Sequence, residues 1–124
     1  MIGYITIGSN DLSASSVFYD ELLKTLGSER AYTLKNMIAY GFGPQRPMLV
    51  ITVPNDGQPA THGNGTMIAL MARDEGHVDV IHALAVRLGA QNEGTPSSHE
   101  GQFYGGYFKD MDGNKLCIFV MQNN

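Results

Sequence analysis

Cysteine is nearly absent from this chain. Cys117 stands alone, so no intramolecular disulfide can form, and no Cys-x-x-Cys pair offers a structural zinc site. Charge is scarce too: Asp, Glu, Lys and Arg make up 16% of the residues, against about 25% in an ordinary globular domain. Basic residues are the rarer sign, 8 against 12 acidic, for a net charge of −4. No stretch clusters Lys and Arg with aromatics, which argues against a nucleic-acid or anionic-membrane partner. No apolar run approaches the ~18–20 residues of a membrane span. The opening Met1–Gly8 lacks the basic region of a secretory signal. The expectation is a soluble, cytoplasmic protein. What the chain does have is apolar material, 43% of 124 residues, ample for the core of a single domain. It also has 15 glycines, an excess that suits tight turns and close backbone approaches.

The pattern along the chain repeats. Ile2–Gly8 alternates and reads as a strand. Asn10 and Asp11 can cap a helix whose apolar face is Val17, Phe18, Leu22, Leu23 and Leu26, stopped by Gly27. Ala31–Lys35, Met37–Gly43 and Met48–Val53 then read as three strands. Residues 55–65 are a polar connector rich in Gly, Pro and Asn, which separates a first module of about 1–54 from a second of about 66–122. After it the order recurs. Thr66–Ala72 is a strand, and Asp74 caps a helix with Val78, Ile81, Ala85 and Leu88 on one face, stopped by Gly89. Ala90–Thr95, Phe103–Lys109 and Lys115–Met121 follow as strands, the last two joined by an Asp110–Asn114 turn. Leu26-Gly27 matches Leu88-Gly89, Asp11 matches Asp74, Tyr40 matches Tyr107 and Val50 matches Cys117, with the offset growing from 62 to 67 residues. The reading is an α+β fold of two βαβββ modules. Together they form a curved mixed sheet with helices on its outer face and a cup inside.

With that order in place, Tyr4-Ile-Thr-Ile-Gly-Ser-Asn-Asp-Leu12, Phe18-Tyr19, Gly65–Leu70 and the hairpin Tyr107-Phe-Lys-Asp-Met-Asp-Gly-Asn-Lys-Leu116 resemble the vicinal oxygen chelate superfamily. This superfamily includes glyoxalases, bleomycin-resistance proteins and extradiol dioxygenases. Met111 stands where the family's hairpin usually has proline. The resemblance covers roughly Ile2 to Met121. It implies a glyoxalase-like domain over 1–124, often a homodimer. It also implies a divalent metal held by His, Gln or Glu on the first and last strands of each module. Those positions fall at Tyr4, about Val50, Met67 and Cys117, which do not make a hard-cation site. The expectation is therefore no metal and no other cofactor.

Strand parity adds a positive expectation. If Tyr4 faces the cup, then Val50, Met67, Cys117 and Phe119 do also. The five-residue turn brings Tyr107 across from Cys117, and the duplication adds Tyr40. Tyr4, Tyr40, Val50, Met67, Tyr107, Cys117 and Phe119 are thus the candidate ligand-binding residues. They form an apolar and aromatic lining with a few hydroxyls. The Gly105-Gly106 pair leaves room beside them. The histidines read as solvated or capping groups, with His62 and His99 placed in loops. No dinucleotide fingerprint, phosphate-binding loop or nucleophile elbow is present, and Asp110–Met121 lacks the closing glutamate of a calcium loop. Two functions compete. One is a metal-free module binding an apolar or aromatic small molecule. The other is a glyoxalase-like lyase or isomerase, akin to lactoylglutathione lyase, with a displaced metal site or tyrosine/histidine acid–base chemistry.

Overall fold

The computed structural model describes residues 1–122. The chain divides into two compact units, Met1–His62 and from Gly63 onward. In the first unit the order is β1 (Tyr4–Gly8), α1 (Leu12–Lys24), β2 (Glu29–Thr33), β3 (Met37–Gly41) and β4 (Met48–Thr52). The second repeats it as β5 (Ile68–Met71), α2 (Glu75–Arg87), β6 (Gln91–His99), β7 (Phe103–Lys109) and β8 (Lys115–Met121). Each unit has one four-stranded mixed sheet, ordered β1-β4-β3-β2 and β5-β8-β7-β6. Within each sheet the first pairing is parallel and the other two antiparallel.

The helices begin and end by the same chemistry. Asp11 and Asp74 accept hydrogen bonds from the Ala14 and His77 amides and so cap α1 and α2. Gly27 and Gly89 follow the last turns at φ 78° and 113°. This left-handed bend lets the Ser28 and Ala90 amides reach back to the Leu23 and Ala85 carbonyls. Neither helix is long and apolar enough to cross a membrane.

One face of each sheet is covered by its helix. In the first unit Phe18, Tyr19, Leu22 and Leu23 of α1 are buried with Ile38, Leu49 and Ile51 of the sheet. Val17, expected in the apolar face of that helix, is 62% exposed, and Tyr19 is buried instead. In the second unit Val78, Ile81 and Ala85 are buried with Phe108, Leu116 and Ile118. The helices approach three strands of their sheets most closely, and on the same face Ile7 of β1 and Leu70 of β5 are also buried.

Candidate functional site

The helix-free face of the second sheet gathers the chemistry. Along β8, Leu116 and Ile118 pack toward α2, so alternation turns Lys115, Cys117, Phe119 and Met121 the other way. The register sets Tyr107 opposite Cys117, Gly105 opposite Phe119 and Phe103 opposite Met121. On the other side of β7, His99 pairs with Phe103. On β5, Ala69 pairs with Cys117 and Met71 with Phe119, and Met67 precedes that strand at the same parity.

The rings on this face form a continuous series. Phe119 meets Phe103 edge to face at 6.2 Å, and Phe103 stacks on His99 at 4.6 Å and 11°. His99 in turn meets Tyr107 edge to face at 5.6 Å. The Lys115 Nζ lies over the Tyr107 ring, 5.3 Å from its centre. Glycines set this spacing: a Cβ on Gly94 would come within 3.0 Å of Tyr107 Cδ2, and one on Gly105 within 3.0 Å of Phe119 Cβ. The room at Gly105 is thus taken up by its neighbours' side chains. Gly106 faces the helix, where a Cβ would lie 2.8 Å from His82 Cδ2.

Burial pushes the Tyr107 hydroxyl above its ordinary pKa, and the neighbouring Cys117 adds to the effect. Burial likewise pushes the Cys117 thiol up, against smaller opposing effects of the Tyr107 hydroxyl and the Lys115 ammonium. The thiol is therefore held protonated at neutral pH, the opposite of what a nucleophile needs.

Tyr107, Cys117 and Phe119 come together on this face, with Met67 at its edge strand. Tyr4 and Val50 stand on the corresponding helix-free face of the first sheet, where Val50 pairs with Thr6 and Ala39. Tyr40 does not. It pairs with Leu49 on the helix side and is 1% exposed. Its hydroxyl donates to Asp20 Oδ1 of α1 at 2.7 Å. The cause is one residue: the β3–β4 connection between paired positions Tyr40 and Leu49 is one longer than that between Phe108 and Leu116. The true counterpart of Tyr107 is Ala39, and a shift of one residue turns a side chain to the opposite face.

His99, Phe103 and Lys115 were missing from the expected set. His99 closes β6, which runs four residues beyond its expected end at Thr95. The other expectation for histidines fails at His82, which is buried with Nε2 3.1 Å from both Asn92 Oδ1 and the Tyr107 carbonyl. His77 does act as a cap, its Nδ1 accepting the Arg73 amide.

The comparisons with known proteins agree on the family. The profile of the glyoxalase/bleomycin resistance protein/dioxygenase superfamily matches residues 1–118. The chain belongs to that superfamily. A solved glyoxalase/bleomycin resistance protein from Albidiferax ferrireducens T118 is 36% identical, with 97% of this chain and 98% of that one aligned and a TM-score of 0.89. A glyoxalase-related enzyme from Fulvimarina pelagi is 22% identical over 97% of this chain and 87% of its own, with a TM-score of 0.79. A family enzyme from Burkholderia phytofirmans PsJN is 16% identical over 96% and 97%, with a TM-score of 0.78. These last two likenesses concern the fold. No curated protein matches the chain.

Superfamily membership raises the question of a metal. Among the described residues no three His, Cys, Asp or Glu side chains gather to hold one. Of the four positions matching the superfamily's ligands, Tyr4 offers a phenol, Val50 no donor atom, Met67 only a thioether and Cys117 a buried, protonated thiol. That donor set does not fit a hard divalent cation.

Proposed function

We propose that this protein binds an apolar or aromatic small molecule on the helix-free face of its second sheet, without a metal. The observation that carries the reading is the series Phe119–Phe103–His99–Tyr107, four rings in successive contact on the sheet face opposite α2. Met71 and Met121 flank it, 64% and 52% exposed. Rings and thioethers accept flat apolar ligands, and a tyrosine hydroxyl fixes their orientation.

The magnitude limits the ligand. Burying one ring of ~150–200 Å² at ~25 cal/mol per Å² gives about 4–5 kcal/mol before association costs. Were no association cost subtracted, that would correspond to a Kd of roughly millimolar at best, so one ring alone is not enough and a second anchoring group is required. Titration with an environment-sensitive aromatic fluorophore tests the reading. Binding should saturate, weaken about tenfold or more in Tyr107→Ala, and be indifferent to chelators. Equal binding by Tyr107→Ala would overturn it.

The proposal includes a homodimer. β1 is an edge strand, and Tyr4 and Ile5, on its opposite faces, are 58% and 40% exposed. A second copy of the chain would cover these groups.

A further inference from the structure

We infer that the ligand of this face is an aromatic anion, and that Lys115 recognises its charged group; the inference rests on the binding function proposed above. The argument begins with the two lysines on the helix-free side of the β7–β8 pair. Lys109 and Lys115 are cross-strand neighbours. Lys109 is neutralised by Glu93, its Nζ 3.4 Å from the carboxylate. Among the described residues Lys115 has no ion pair, and its ammonium lies over the face of the Tyr107 ring.

An ammonium group over a ring keeps most of its attraction for an anion, because the ring offers a quadrupole and no formal charge. Here that cation stands over Tyr107 at one end of the face, with Phe119 two rows along β8 and Phe103 and His99 at the far end. A flat molecule lying along the rings would place a carboxylate, sulfonate or phosphate at Lys115. The carboxylate on the same side, Glu93, is already engaged by Lys109 and does not compete. A charge-assisted contact at Lys115 supplies the second anchor that ring burial alone lacks. The chain as a whole carries −4, so its net field repels anions and any preference for one must be local.

Two probes that differ by a single group decide the matter. 1-Anilinonaphthalene-8-sulfonate and its neutral parent, N-phenyl-1-naphthylamine, share the same rings and both brighten in apolar surroundings. The full-length protein should bind the sulfonate about tenfold more tightly than the neutral probe, and 0.5 M salt should narrow the gap. Lys115→Met should bring the sulfonate down to the neutral probe's affinity and leave the neutral probe unchanged. Lys115→Arg should retain the preference, and Lys24→Met, on α1, should not alter it. Circular dichroism confirms that each variant is folded. If the wild type binds both probes equally, or Lys115→Met weakens both alike, the anionic assignment is wrong while the aromatic-binding reading stands. If neither probe binds, both fall.

Discussion

The Tyr40 hydroxyl donates to a carboxylate that Arg30 already holds in a two-pronged contact, Nε and Nη2 of Arg30 lying 2.9 and 2.8 Å from the Asp20 oxygens. The guanidinium holds the Asp20 carboxyl below its ordinary pKa, and burial with the Asp20 contact drives the Tyr40 hydroxyl far above its own. The three side chains tie α1 to β2 and β3 within the first unit. Tyr40→Phe should therefore lower stability by about 1 kcal/mol, read by urea denaturation, with aromatic-probe binding unchanged. The pH dependence has a definite sign. Because Tyr40 is held neutral in the folded state, its contribution is complete below pH ~10 and is lost as the unfolded chain ionises above that value. Asp20, held charged, contributes above its ordinary value near 4 and loses that contribution in acid. The stability advantage of wild type over Tyr40→Phe should thus shrink between pH 10 and 11; a constant difference would separate Tyr40 from this network.

Each helix also fixes what its sheet can carry. His82 of α2 is held by Asn92 and by the Tyr107 carbonyl, and its ring occupies the space over Gly106. The Pro96 ring fills the rest, 2.9 Å from where a Cβ would be. Neither ring has freedom to retreat, so Gly106→Ala should cost about 1–3 kcal/mol by overpacking, measured as a lowered denaturation midpoint. The edge strand β1 presents a different problem. Its sequence is uncharged and β-branched, and such an edge recruits another chain. Thr6→Lys places a charge on its helix-free face. Sedimentation at tens of micromolar should show a dimer for wild type and a monomer for this variant; a monomeric wild type would remove the dimer proposal.

Over the whole molecule, the fold was readable in the sequence because it occurs twice. The caps Asp11 and Asp74 and the stops Gly27 and Gly89 mark both helices independently of any strand. Strands β7 and β8 were found to the residue, since their alternation is bounded by turn residues. The site was less legible, for two physical reasons. Matching Tyr40 to Tyr107 by identity ignored one extra residue in a connection, and one residue reverses a face. His99 lies in Ser97-Ser98-His99-Glu100-Gly101, whose polarity signals a loop, yet Ser97, Ser98 and His99 pair with Gly105, Tyr104 and Phe103. Hydrogen bonding to β7 makes that segment a strand where its own composition does not.

The parallel pairing of β1 with β4 has a further consequence for how the chain is made. Tyr4 pairs with Met48 and Gly8 with Thr52, so each β1 residue finds its partner about forty positions later. At ~5–20 residues per second a ribosome needs about 2–9 s to supply β4. Through that interval β1 is a nascent strand with no place to dock, and β5 faces the same delay before β8. The hairpin of β7 and β8 closes across a short turn as soon as it emerges. In each half, therefore, the antiparallel pair becomes available for pairing with few residues between its strands, whereas the first strand waits for the last.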